Sequence, residues 1–203
     1  MVLIKELKLS NISFDYSVKA FPTSPTTSHS HLAPLGKIPA LSVLSPSNEV
    51  ESTLFGSQVI GQYLDHLSGG GKALPSLESG KGGLERFDSL TTEALADGIC
   101  EAALALRYER IERPKDLIWD DWTSGQLSKI TRAIPMLSKR VTGIDPSIAV
   151  LPLHGIAAAI SLYYVDRRAA DSNWRELEGG QKLDEWYKKI QQRESWKSTP
   201  FVR

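Results

Sequence analysis

Apolar residues recur along this chain with two different periods, and the changeover comes about a third of the way in. At the amino end Val2, Leu3, Leu7 and Leu9 stand with Lys5, Glu6 and Lys8 between them, the spacing of the end of a short helix. "NISFDYSV" then sets Ile12, Phe14 and Tyr16 against Ser13, Asp15 and Ser17, an alternation that predicts a half-buried strand. A Ser/Thr/Pro-rich loop over about 21–36 leads to "PALSVL" and "VESTLF", and Ser45-Pro46-Ser47-Asn48 between these two runs is a turn signal, so they predict a hairpin. From Ser57, read as a helix cap, Val59, Ile60, Tyr63, Leu64 and Leu67 fall on one helical face until Gly69-Gly70-Gly71 stops the run.

Residues 69–83 are rich in Gly, Ser and Pro and hold little to bury, the composition of a connection between domains. Beyond them the period is helical throughout. Leu90, Leu95, Ile99, Ala103 and Leu106 mark one helix over 85–110, and a second pattern covers about 115–140. "LPLHGIAAAISLYYV" is apolar nearly all round, as befits a helix at the centre of a bundle. An amphipathic helix near "QKLDEWYKKIQQ" comes last. The expectation is a small α/β unit over 1–68, a linker over 69–83 and an all-helical domain over 84–203.

Composition and charge remove several classes of function. Lys plus Arg and Asp plus Glu both number 24, so no basic field exists to attract a phosphate backbone, and nucleic acid is an unsuitable partner. No apolar run approaches the roughly 20 residues that span a bilayer, and one cysteine makes no disulfide framework, which together point to a cytosolic protein without a membrane partner. The amino end lacks the long apolar core and cleavage site of a signal peptide. "SGGGK" lacks the spacing of a phosphate-binding loop and reads as linker. His29, His31, His66 and His154 are too scattered for a metal site, Cys100 reads as a small core residue, and Trp119 and Trp122 read as packing residues.

One position resists this reading. Pro39 stands at the threshold of the first hairpin strand, although a proline cannot donate to a sheet ladder. The string "PLGKIPAL", followed by "TLFGSQVIGQYLD", "LADGICEAALALRYE" and the closing "WYKKIQQRESWKSTP", resembles in that order the cytosolic glutathione S-transferase family. The resemblance implies a thioredoxin-like amino-terminal domain, incomplete at its amino end, followed by an all-α bundle, and it implies that the Ile38–Pro39 bond is cis. A cis X-Pro bond costs only about 0.5–1 kcal/mol over trans, and it turns the preceding residue's backbone outward, where an extended peptide can pair with it.

Glutathione is such a peptide. The resemblance implies that Ile38 bonds its cysteinyl backbone, that Lys37 attracts its glycine carboxylate and that Ser57 holds its γ-glutamyl carboxylate at a helix N-terminus. Singly, Lys37 reads as a solvated charge and Ser57 as a cap; in this order they read as a site. Two positions depart from the family. Gly56 stands where an acid usually holds the γ-glutamyl ammonium; Asp97 matches a position that reaches toward the partner subunit's glutathione and is either a substitute or a helix-surface carboxylate. The chain also opens inside the family's first helix, past the residue that activates the thiol, so the catalytic residue is unknown. A free thiol with a pKa of about 8.5 is only about 3% ionised at pH 7, and something must lower that value.

Arg107 and Tyr108 are candidates for contacts to the electrophile, against an exposed ion pair and a packed ring as the competing readings. Pro152 and Gly155 replace a family capping pair, which predicts a start of that helix weaker by about 1 kcal/mol. The implied function is a homodimeric transferase that adds glutathione, its co-substrate, to a small apolar electrophile, in a biosynthetic conjugation of a secondary metabolite or in a glutathione-dependent double-bond isomerisation. The alternative is a catalytically silent glutathione-binding or scaffold protein.

Overall fold

The computed structural model describes residues 1–13, 33–78 and 81–199. Its elements are α1 (Val2–Glu6), a hairpin of β1 (Ala40–Leu44) and β2 (Val50–Phe55), α2 (Ser57–Leu67), α3 (Leu84–Arg107), α4 (Asp120–Val141), α5 (Leu153–Arg168), α6 (Gly180–Ile190) and α7 (Glu194–Lys197). The strands pair antiparallel from Ala40 opposite Phe55 to Leu44 opposite Val50, with a register shift after Val43. Asn48 takes a left-handed conformation (φ 64°) in the turn, which asparagine tolerates better than most residues. The expected strand over 11–18 falls largely outside the described residues, and Asn11, Ile12 and Ser13, which are described, are not in a strand.

The hydrophobic core is continuous between the two halves. Val2, Leu3 and Ile4 of α1 and Ile60 and Leu64 of α2 join Ile99 of α3, Ile134 of α4, Leu162 of α5 and Leu183 of α6 in one cluster. At its centre α5 is lined with small residues, and two glycines let neighbours come close. A methyl group on Gly61 would lie 2.8 Å from the end of the Leu153 side chain, so an alanine there would oblige that side chain to shift. One on Gly155 would lie 3.3 Å from Ile144. At the start of α5 the Leu153 N–H donates to Ala73 O (2.8 Å), so the connecting segment satisfies a backbone donor that no side chain caps.

The glycine-rich connection is itself ordered by a carboxylate. Asp65, 4% exposed near the end of α2, accepts the backbone N–H groups of Gly71 (3.0 Å), Lys72 (3.1 Å) and Ala73 (2.7 Å). Gly69, Gly70 and Gly71 all have positive φ, which lets successive N–H groups turn toward one acceptor. The loop cradles an anion, and that anion is its own neighbour in sequence.

Three expectations are corrected. The cap of α2 is Gly56 (φ 88°), and Ser57 is the helix's first residue with no capping bond from its side chain. The helix expected over about 115–140 begins at Asp120, because residues 108–117 form a π-helical turn, an extended step at Arg113 and a short 3-10 turn. Trp119 is not packed: it is 62% exposed and stands just before α4, its backbone N–H held by Glu109 Oε1 (3.0 Å), while Trp122 is half-buried.

Candidate functional site

The site begins where the hairpin hands over to α2. The first backbone bond of α2 runs from the Ile60 N–H to Gly56 O (3.1 Å), so the N–H groups ahead of it have no partner within the helix. With no side chain capping them, they carry the positive end of the helix dipole toward solvent. The Ser57 hydroxyl, released from capping, donates to Asp97 Oδ2 on α3 (3.2 Å). A serine at a helix N-terminus and a carboxylate thus stand side by side in one chain, although 40 residues separate them.

Ahead of the hairpin, the Ile38–Pro39 peptide bond is cis. The sheet ladder starts only at Ala40, Ile38 lies outside it with its side chain 59% exposed, and Pro39 is exposed beside it. Lys37, exposed to solvent, lies 3.8 Å from Glu101 of α3, whose side chain is equally open. Lys37 and Ser57 therefore face the same helix, and Asp97 and Glu101 are the carboxylates that meet them.

Glu93, Asp97 and Glu101 follow one another at four-residue steps, so one face of α3 carries a column of acids. Asp97 is half-buried, and burial pushes its carboxyl up, with Glu101 adding to the rise and the Ser57 hydrogen bond opposing it. Glu93 is 2% exposed and has one carboxyl oxygen without a partner among the described residues. Burial, with Asp97 one turn away, pushes it up to about 7. Glu93 and Glu101 are missing from the reading of the sequence, yet the four-residue spacing around Asp97 was a signal that could have marked both.

Further along α3 the other expected residues separate. Arg107 is tied to Glu112 (2.5 Å), which is the ion-pair reading of that residue. Tyr108 is half-buried where α3 passes into the π-helical turn Tyr108–Glu112. Cys100 does not lie among apolar groups alone. Burial pushes its thiol up to about 12, Asp97 and Glu101 reinforce the rise and Arg168 opposes it. A thiol of that kind stays protonated and makes a poor nucleophile.

Away from this face, a cavity of about 300 Å³ is lined by Asp88, Ser89, Thr92, Arg140 and His154. It lies toward the start of α3, more than one turn before Asp97, and Arg140 is already engaged there with Thr92 Oγ1 (3.1 Å). Among the described residues no cluster of His, Cys, Asp or Glu could hold a metal ion, and no helix is long and apolar enough to cross a membrane.

No protein-family model and no curated protein matches the sequence. Solved structures do. A glutathione transferase family member from Pseudomonas fluorescens Pf-5, with bound glutathione, is 33% identical over 99% of this chain and 92% of its own, with a TM-score of 0.82. A family member from the same organism with bound S-(propanoic acid)-glutathione matches at the same identity and coverage, with a TM-score of 0.75. A glutathione S-transferase from Methylobacillus flagellatus KT with glutathione bound is 26% identical over 99% and 92%, with a TM-score of 0.73. With a helix N-terminus beside a serine, a cis-proline ahead of the hairpin and this identity over nearly its whole length, the chain belongs to the glutathione transferase family.

Proposed function

We propose that the protein binds glutathione along the face formed by Lys37, Ile38, Pro39, Ser57 and Asp97 and transfers it to a small electrophile. The observation that carries this reading is the Ser57–Asp97 hydrogen bond beside the uncapped start of α2. The γ-glutamyl carboxylate takes the Ser57 hydroxyl and the free N–H groups of the first turn, where the helix dipole favours an anion. The γ-glutamyl ammonium takes Asp97, which stands in for the acid that Gly56 replaces and does so within the same chain. Lys37 turns from Glu101 to the glycine carboxylate, an exchange made easy by the openness of that pair. The Ile38 backbone, outside the ladder, pairs with the cysteinyl residue.

The relatives crystallised with glutathione and with a propanoic acid conjugate support both halves of the reaction. In the transfer, the thiolate sulfur forms a bond to the electrophilic carbon. From a halide the leaving group departs with the bonding pair; in an activated alkene the π pair moves to the neighbouring carbon, which then takes a proton from solvent. Arg107 and Tyr108 flank the electrophile's end of the cleft, and the family's homodimer belongs to the same proposal.

Titration calorimetry with glutathione tests the site. Binding in the micromolar to millimolar range should weaken about tenfold in Lys37→Ala and in Asp97→Asn, equivalent to about 1.4 kcal/mol each. Absence of binding to the folded chain overturns the reading. Binding without conjugation of any activated alkene or aryl halide would replace the transferase with a silent glutathione-binding protein.

A further inference from the structure

We infer that the cavity where α3, α4 and α5 meet is a second binding site, for a small oxyanion that carries a hydroxyl, a phosphate or a phosphate ester, and that Arg140, Ser89 and His154 hold the anion while Asp88 accepts its hydroxyl. The inference goes beyond the glutathione reading and stands without it. Each helix contributes to the lining: α3 gives Asp88, Ser89 and Thr92, α4 gives Arg140 next to its last residue, and α5 gives His154, its second residue. The volume of about 300 Å³ is at the lower end of the range for small-molecule sites. Ser89 precedes Asp97 by eight residues, about 12 Å at 1.5 Å per residue, so the cavity stands apart from the glutathione face along α3.

The polar groups here are held in place without being used up. Arg140 Nη1 donates to Thr92 Oγ1 (3.1 Å) and makes a longer contact with Asp88 O (3.4 Å), while Thr92 Oγ1 donates to Asp88 O (2.8 Å). These neutral oxygens fix the guanidinium and leave its charge uncompensated. Among the described residues Arg140 forms no ion pair, its Nε and Nη2 have no acceptor, and the exposed Asp88 carboxylate in the same lining pairs with no cation. Ser89 is 7% exposed, and its hydroxyl bonds to no described residue. His154 Nδ1 is shielded and lacks a partner among the described residues. Burial, with Arg140 adding to it, lowers the imidazole, so the ring is neutral at pH 7. A proton on Nδ1 would be a buried donor without an acceptor, so the proton belongs on Nε2.

Arg140, Ser89 and His154 thus supply donors for the oxygens of an anion, and the uncapped first turn of α5, where His154 stands, adds potential of the same sign. Asp88 narrows the choice. An ionised carboxylate can only accept a hydrogen bond, so it repels a fully ionised oxyanion and favours one that keeps an O–H. Phosphate keeps one at pH 7 and sulfate does not, so the lining selects phosphate over an ion of nearly the same size and shape.

Calorimetric titration of the full chain with sodium phosphate, sodium sulfate and glycerol 3-phosphate, at pH 7 and constant ionic strength, tests the site. Phosphate should bind about tenfold more tightly than sulfate, the scale of one hydrogen bond to a charged group. In Asp88→Asn, whose amide can donate to either ion, that preference should fall to about twofold or less. Phosphate should weaken about tenfold in Arg140→Gln and be unchanged in Lys37→Ala, which alters only the glutathione face. Tighter binding of glycerol 3-phosphate than of phosphate assigns the site to an ester and weaker binding assigns it to the free ion; both uphold it. Equal affinity of the wild-type chain for phosphate and sulfate, or no binding of phosphate, overturns the inference and leaves the glutathione site standing. Phosphate binding that is lost in Lys37→Ala and kept in Arg140→Gln places the anion at the start of α2 and also overturns it. The wild-type ratio needs no variant, so misfolding of Arg140→Gln cannot rescue the inference.

Discussion

Two ionic clusters join the amino-terminal part of this chain to its helices, and they are built in opposite ways. In the first, Glu6 of α1 accepts from Arg193 Nε (2.8 Å) and Nη2 (2.5 Å), from the Leu151 N–H (2.9 Å) and from the Ser195 hydroxyl. Arg193 Nη1 donates to Pro146 O (2.6 Å) and Ile148 O (3.0 Å). The carboxylate side chain is 2% exposed and the guanidinium side chain 16%. In the second, Lys37 and Glu101 are open to water, Ser57 donates to Asp97 and Glu93 is buried with an oxygen unpaired among the described residues. The first cluster is complete and dry, whereas the second is open and incomplete. A closed set of donors and acceptors can only hold the fold together; one with vacant valences has something left to give a ligand.

The sharpest way to break that comparison is to open the closed cluster. Arg193→Met leaves the Glu6 charge buried without its partner and should cost about 3 kcal/mol or more of stability, read as a shift of the urea midpoint. A loss below about 1 kcal/mol would show that the clasp contributes little. Its pH dependence has a definite sign. Burial pushes the Glu6 carboxyl up, but the bonds from Arg193, Ser195 and Leu151 outweigh burial and hold it below its ordinary 4.5. That contribution is complete above pH 4.5 and is lost as the pH falls through the lower folded value, so Glu6→Gln should flatten the acid limb of the stability profile.

Glu93 should behave with the opposite sign and a smaller amplitude. Its folded value near 7 lies above the ordinary 4.5, so its contribution is complete below pH 4.5 and is lost as the pH rises through about 7. Glu93→Gln should therefore gain on the native chain by on the order of 2 kcal/mol between pH 4 and pH 8, in urea midpoints taken at both. Parallel profiles for the two proteins would mean that the buried carboxyl is ionised at no cost. The smallest effect is expected at the open end of the cleft. Lys37→Ala should leave the urea midpoint unchanged within about 0.5 kcal/mol even as glutathione binding weakens, which sets a binding residue apart from a structural one.

Much of the fold was legible before any coordinates. The hairpin over 40–55, the helix from Ser57 and the helices that follow residue 84 all come from apolar spacing and turn residues, which are local properties. Lys37, Ser57 and Asp97 could be singled out because the strings around them resemble a family's. What was not legible depends on neighbours far apart in sequence. Ser57 looked like a cap because serine usually is one, and only the approach of α3 gave its hydroxyl a better acceptor in Asp97. Cys100 looked like a small core residue from its flanks, but it is only half-buried, with the acids Asp97 and Glu101 on the same helix reinforcing the rise of its thiol. Trp119 looked like core because tryptophan usually is, and the turn before α4 leaves it exposed.

By itself the sequence determined the order of the elements, the α/β-then-helical architecture and the likeness to a family, because hydrophobic period, turn chemistry and short motifs are written within a few residues of one another. Only the tertiary structure decided which charges are satisfied. Burial and pairing are sums over residues up to 193 positions apart, as Lys5 and Ser198 are, and no local pattern says that Arg193 will find its carboxylate while Glu93, among the described residues, keeps an oxygen without a partner.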